Sequence, residues 1–259
     1  MSARTAWPEL PGAVRAAVEE RTGAVIAAET LPDGLTCATA LSLTTATGRT
    51  FVKGGPVHRA AQQWEVLVNP YVRAIGPRLL WQVVADGWDL LGFEYVDGRH
   101  ADLSPGSPDL PLVAEALRTA HDRQPRPTPA VPPLVERWSA LLAPGEAALL
   151  GGDSLLHTDT NPHNILIADR RAHLVDWAMP ALGPAWADVA YTTVRLMEAD
   201  CPTGRALAWA ARFPCWRAAD AQALRAFVAA NCRHWDSRVG PVAARPSNAR
   251  FTALLGLMP

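Results

Sequence analysis

The feature that most constrains this chain is a change of pattern near residues 96–100. Before it the sequence reads as paired, alternating strands; after it nearly every periodic stretch is helical. Leu41-Ser42-Leu43-Thr44-Thr45 alternates, Thr47-Gly48 turns, and Arg49-Thr50-Phe51-Val52-Lys53 returns, which is the pattern of a β-hairpin. Residues 79–84 and 90–95 read as two more strands around the turn Ala85-Asp86-Gly87-Trp88. A helix over residues 10–21 stops at Gly23. Gly54-Gly55-Pro56 is expected to break the strand ending at Lys53 and to open a helix over about 57–72. Beyond Asp97-Gly98, helices are expected over 112–121, 134–142 and 145–150, with an extended Pro-rich connection at 124–133, and helix dominates from Trp186 onward. Strands first and helices second exclude alternating βα units. They predict an α+β fold in two lobes, a β-rich one over 1–96 and a mainly helical one over 97–259.

Composition narrows the function classes. With 49% hydrophobic and 19% charged residues, the chain has the material for a substantial core. A net charge of -1 provides no field to favour nucleic acid or a membrane surface, and neither is expected as a partner. No apolar run approaches the roughly 20 residues that span a bilayer. MSARTAWPELP at the N-terminus lacks the apolar core of a signal peptide. The four cysteines form no Cys-x-x-Cys pair, so a reducing, cytoplasmic setting is expected.

Within the helical half, Leu155-Leu156-His157-Thr158-Asp159-Thr160-Asn161-Pro162-His163-Asn164-Ile165-Leu166-Ile167 sets a polar knot between apolar flanks. It is either a well-hydrogen-bonded turn or a metal and proton-transfer site. Asp159 and Asn164 lie five apart across a turn shaped by Pro162, and Asp176 follows at the end of a strand-like run. Pairing of the apolar flanks with that run would bring the three polar groups to one end. A carboxylate and an amide oxygen are hard donors that suit Mg²⁺, which takes few protein ligands and keeps phosphates and waters. A remaining carboxylate could accept a proton from a hydroxyl.

His157-x-Asp159-x-x-x-x-Asn164 followed by Asp176 resembles the phosphotransferase core shared by aminoglycoside phosphotransferases, choline kinases and the wider protein-kinase-like fold. Other residues follow in the family's order: Lys53 at the end of a strand, Glu65 mid-helix, Phe93-Glu94-Tyr95-Val96 at the junction of the halves, and Gly183-Pro184-Ala185-Trp186-Ala187-Asp188-Val189-Ala190 after Asp176. The resemblance implies that Asp159 is the catalytic base or hydroxyl-orienting carboxylate, and that Asn164 and Asp176 hold Mg²⁺. It implies that Lys53, oriented by Glu65, steadies the phosphates of ATP or GTP, and that Glu94 and Val96 meet the base through main-chain groups beside Phe93. His157 would brace the loop and Asp188 would bond its backbone. Pro32 to Ala38 falls where a phosphate-covering loop belongs, but it has a single glycine; Thr36 is the residue there that could meet the nucleotide. Thr158 stands where many protein kinases have arginine, and only twelve residues separate Asp176 from Asp188. Both features favour a small-molecule acceptor over a peptide.

Each of these residues has a plainer reading. A strand-end lysine such as Lys53 is usually a solvated edge charge, and Glu65 could face solvent. His163 and His121 are explained as loop and helix-end residues. Most of the ten tryptophans belong in the core.

From Val189 onward nine arginines stand against the acids Glu198, Asp200, Asp220 and Asp236. A polycationic aminoglycoside would prefer a carboxylate-lined cleft. This balance therefore suggests a less cationic acceptor, unless the arginines are simply solvated helix faces. Glu198 and Asp200 are the acids best placed to meet an amine on the acceptor. The leading expectation is a nucleotide-dependent O-phosphotransferase acting on an antibiotic or related natural product, for resistance or tailoring. The alternatives are a metabolic kinase of a sugar, amino alcohol or nucleoside, and a nucleotide-sensing pseudokinase; intact Lys53, Asp159, Asn164 and Asp176 count against the last.

Overall fold

The computed structural model describes residues 4–32, 37–58, 62–122 and 130–256. The chain folds as two units, Met1–Arg99 with Leu166–Ala178, and His100–Ile165 with Met179–Pro259. Thr36 and most of the Pro-rich connection lie outside the described residues.

The first unit opens with helix α1 (Gly12–Thr22) and strand β1 (Val25–Thr30). The hairpin follows as β2 (Thr39–Thr45) and β3 (Gly48–Pro56), in register from Thr39↔Gly54 to Thr45↔Gly48. Then come α2 (Gln62–Val72), β4 (Leu79–Ala85) and β5 (Trp88–Glu94). The last two strands are joined by Asp86-Gly87, both at positive φ (45° and 75°), the left-handed geometry that matches a two-residue turn to strand twist. The antiparallel sheet runs β1-β2-β3-β5-β4. Val14 and Val18, one turn apart on α1, bury against Leu41, Leu43, Val52, Val83 and Leu90, each worth roughly 2 kcal/mol in apolar burial.

Gly54-Gly55-Pro56 does not end the strand: β3 runs through all three, paired with Leu90, Asp89 and Trp88. A Cβ on Gly54 would lie 2.1 Å from the Asp89 carbonyl oxygen, so glycine here permits close approach of the neighbouring strand. The helix accordingly starts later than expected, with α2 described from Gln62. Its buried positions Gln62, Glu65, Val68, Asn69 and Val72 trace one face, which puts Glu65 inside. Asn69 secures the connection to β4, donating to the Pro77 carbonyl (2.8 Å) and accepting from the Leu79 N–H (2.9 Å).

After β6 (Arg99–His100), the second unit contains α3 (Asp109–Asp122), α4 (Leu134–Arg137), α5 (Glu146–Leu149) and strand β7 (Ser154–Leu156). The chain then forms β8 (Ile165–Ala168) and β9 (Arg171–Leu174), neighbours in one sheet joined by Asp169-Arg170, both at positive φ. Thus one apolar flank of the polar knot pairs with the strand before Asp176. The other flank, β7, pairs instead with β10 (Ala181–Gly183), which the sequence pattern did not reveal. Five helices complete the second unit: α6 (Trp186–Glu198), α7 (Thr203–Ala210), α8 (Pro214–Arg217), α9 (Ala221–Val239) and α10 (Pro241–Ala253). Phe227 on α9 anchors an aromatic cluster, its ring 5.5 Å from Trp138, 5.3 Å from Trp186 and 5.1 Å from Tyr191. All ten tryptophans are buried or half-buried. Among the described residues, no helix is long and apolar enough to cross a membrane.

Candidate active site

In the first unit, Lys53 leaves β3 beneath α2. Its Nζ lies 2.8 Å from Glu65 Oε2 and 2.6 Å from Asp176 Oδ1. The Lys53 and Glu65 side chains are almost wholly enclosed, whereas that of Asp176 is 22% exposed. Burial works against the lysine's charge, but the two carboxylates outweigh it, and the Lys53 pKa is raised above the ordinary lysine value. Asp176 sits just past β9 at φ 61°, a left-handed conformation that turns the chain after the strand. The strand end is pinned where the Leu174 N–H donates to the Ile75 carbonyl at 2.6 Å and the Trp177 indole donates to the Leu174 carbonyl at 3.1 Å.

Phe93 is buried in β5 opposite Phe51. The Glu94 carboxylate accepts from the Arg78 backbone N–H (3.1 Å) and guanidinium (2.9 Å), and the Val96 carbonyl accepts from the Gly98 N–H (3.0 Å). The Glu94 side chain is thus committed to the sheet edge.

In the second unit, the polar knot leaves β7 and is shaped from within and from α6. Asn161 caps a 3-10 turn (Pro162–Asn164), its Oδ1 accepting from the His163 N–H at 2.9 Å, with Pro162 in the first position, where its fixed φ and missing N–H cost nothing. Both oxygens of the Asp159 carboxylate are engaged. Oδ1 accepts from Asn161 Nδ2 (2.9 Å) and faces Arg195 Nη2 at 3.6 Å; Oδ2 accepts from Asn164 Nδ2 (3.1 Å). Asn164 Nδ2 also donates to the Asp159 carbonyl (3.0 Å), so its amide oxygen is turned away from Asp159. The Asp159 side chain is 39% exposed, so a solvent-borne group can reach it.

Helix α6 presents a polar stripe to this loop. Asp188, 2% exposed, accepts the N–H groups of His157 (2.8 Å) and Thr158 (2.9 Å). One turn on, the Thr192 hydroxyl meets that of Thr160 at 2.8 Å; one further turn brings Arg195, which also bonds Glu198 Oε2 at 2.7 Å. His157 is buried, and its Nδ1 accepts the Asp159 N–H at 3.3 Å. Arg137, at the end of α4, reaches the Thr158 hydroxyl (3.3 Å) and the Met179 carbonyl (2.6 Å) and also bonds the Pro180 carbonyl. Asp200 follows α6 at φ 62° and is exposed.

The fold groups Lys53 with Glu65 and Asp176, and groups Asp159 with Asn164, His157 and Asp188. Sequence reading missed Asn161, Arg137 and Arg195. The last was legible in principle, because Asp188, Thr192 and Arg195 recur at i, i+4 and i+7, one face of a helix.

This architecture is shared by solved phosphotransferases at low sequence identity. A thermostable mutant of aminoglycoside phosphotransferase APH(4)-Ia superposes with a TM-score of 0.64 at 15% identity, covering 93% of this chain and 99% of that one. Choline kinase LicA from Streptococcus pneumoniae gives 0.61 at 12%, covering 91% and 97%. Aminoglycoside phosphotransferase APH(3'')-Id from Streptomyces rimosus, crystallised with ADP and streptomycin, gives 0.57 at 17%, covering 92% and 96%. A search of curated proteins finds no match by sequence. The fold is therefore the kinase-like fold of the small-molecule phosphotransferases. The sequence model of the phosphotransferase enzyme family, APH, matches residues 97–227, just over half of the chain, and the chain belongs to that family. It is a phosphotransferase with an alcohol group as acceptor.

Proposed function

We propose that the protein transfers the γ-phosphoryl group of ATP or GTP to a hydroxyl of a small natural product of the antibiotic type. The observation that carries this reading is the Asp159 carboxylate, open to solvent yet fixed by two side-chain amides from its own loop. A carboxylate so held can orient an incoming hydroxyl and accept its proton with little reorganisation. Lys53 is the group assigned to the nucleotide phosphates. Its two carboxylate partners keep it charged and aimed, as stabilising a loose, anionic transition state requires. The unit carrying it is assigned to the nucleotide, with Phe93, Glu94 and Val96 beside the base.

Asn164 and Asp176 are each assigned to Mg²⁺ by the type of oxygen they offer. Asn164 has its amide N–H₂ committed to Asp159, which leaves a hard carbonyl oxygen, and Asp176 supplies a partly exposed carboxylate. When bound, Mg²⁺ would neutralise phosphate charge. Asp188 and His157 are assigned to holding the loop. The likeness to an enzyme crystallised with ADP and streptomycin motivates both the nucleotide and the choice of acceptor class. Incubation with Mg²⁺, ATP or GTP and a panel of aminoglycosides, peptide antibiotics, macrolides, nucleosides and simple metabolites, read by mass spectrometry, tests the proposal. A product heavier by one phosphoryl group on an antibiotic supports it, whereas phosphorylation confined to metabolites overturns the acceptor assignment.

A further inference from the structure

Arg195 does something the charge balance alone does not reveal. Its guanidinium bridges two carboxylates, with Nη2 3.6 Å from Asp159 Oδ1 and Nη1 2.7 Å from Glu198 Oε2. All three side chains remain partly open, at 26% for Arg195, 39% for Asp159 and 29% for Glu198. The face of Asp159 turned toward α6 therefore already holds a protein cation, in a place where an ammonium group on an acceptor would otherwise sit. Of the other acids of this segment, two are engaged elsewhere. Asp220 caps α9, accepting from the Gln222 and Ala223 N–H groups, and Asp236 accepts from Asn248. Asp200 stands exposed beyond the end of α6.

We propose that Arg195 is a specificity-determining residue: it occupies the cation position between Asp159 and Glu198, and so selects acceptors that carry no ammonium group beside the reacting hydroxyl. This deepens the proposed function and rests on Asp159 facing the acceptor. Like-charge contact with the guanidinium disfavours an aminated acceptor, and pairing with Arg195 weakens the pull of Glu198 on one. Removing Arg195 would unmask a pair of carboxylates and invert the preference.

A matched pair of probes isolates this effect: kanamycin, and the same molecule with every amine acetylated, which keeps the ring hydroxyls and loses the charge. Binding of each to the full chain, loaded with Mg²⁺ and a non-hydrolysable nucleotide, is measured by calorimetry for wild type, R195M, R195K and R195M/E198Q. Nucleotide affinity in each variant reports that the fold is kept. Wild type should bind the acetylated probe more tightly. R195M should gain about tenfold or more for kanamycin, R195K should behave as wild type, and R195M/E198Q should lose the gain. The inference is overturned if wild type prefers kanamycin, or if R195M leaves kanamycin's affinity unchanged, including undetectable in both. A failure of the phosphotransfer reading is distinguishable, because it appears as the absence of any phosphorylated product with wild type, and a failure of the Asp159 assignment appears as product formation that survives D159N, whatever the acceptor charge.

Discussion

Asp188 Oδ1 accepts the backbone N–H of Thr158 at 2.9 Å, and Thr158 is held at φ 66°. A β-branched residue in left-handed geometry costs roughly 1–3 kcal/mol, so this conformation persists only because the surroundings over-determine it. The second Asp188 oxygen takes the neighbouring His157 N–H, and one buried carboxylate thereby fixes the entry to the Asp159 loop. Hydrogen bonds to a charged group are worth roughly 1.5–3 kcal/mol each. D188A is expected to lower the unfolding free energy by about 3 kcal/mol, measured by urea titration, and to depress turnover. A loss below about 1 kcal/mol would show that the loop holds its shape without this carboxylate.

Arg137 supports the same loop from outside. Among the described residues its guanidinium bonds neutral acceptors, the Thr158 hydroxyl and the Met179 and Pro180 carbonyls, and burial lowers its pKa. R137M keeps the stem but strands those acceptors, at an expected cost of about 2 kcal/mol in thermal or urea unfolding. R137K should recover only part of that, because an ammonium cannot fork to several acceptors in one plane.

Much of this architecture was legible because local chemistry and tertiary packing agree. The two hairpins were written in alternation and turn residues, and the helical half in periodicity. The failures have identifiable causes. Gly54 and Gly55 read as a break because the sequence does not show that the Asp89 carbonyl passes within reach of a Cβ. β10 is three residues long and carries no pattern of its own; its pairing with β7 is entirely tertiary. Glu65 looked able to face solvent, yet its spacing to Val68 and Val72 is that of a buried face. In the candidate site, Lys53, Glu65 and Asp176, and His157, Asp159 and Asn164, stand in the sequence in the order of the family's motif, and the fold brings the members of each set together. Asn161 and Arg137 were not legible, because their partners are set by loop geometry.

Lys53 tests how the first unit is held. K53M leaves Glu65 and Asp176 close together without their shared cation, and breaking such an enclosed pair costs about 3 kcal/mol. Partial exposure of Asp176 places the expected loss toward the low end of the range. Turnover should fall by at least about a hundredfold if Lys53 acts on the phosphates. Unchanged turnover in a folded K53M would leave the ion pair a structural feature only.

Tyr191 gives the protein an alkaline limit. Burial, with the Asp188 charge added, raises its phenol pKa, so the folded state holds this proton more tightly than the unfolded chain does. The stabilisation is therefore complete below the unfolded value of about 10 and is lost as pH rises from there through the folded value. Wild type should lose unfolding free energy more steeply than Y191F above about pH 10, and the two curves should run parallel between about pH 7 and 9. Divergence within the neutral window would contradict this assignment.

Asn164 is the sharpest handle on the proposed Mg²⁺ role. N164A removes the amide oxygen assigned to Mg²⁺ and releases one side of Asp159. The Mg²⁺ concentration giving half-maximal turnover should rise by about tenfold or more, and chelation should abolish turnover in both proteins until Mg²⁺ is returned. A wild-type Mg²⁺ requirement in N164A would remove this residue from the ligand set.

The most direct test compares wild type and D159N on one phosphorylated acceptor, with nucleotide affinity measured in parallel. If Asp159 aims the hydroxyl and takes its proton, product formation should fall by roughly 10²–10⁴-fold while nucleotide affinity stays within about twofold of wild type. Product formation that survives in D159N would contradict the central claim that phosphoryl transfer passes through this carboxylate.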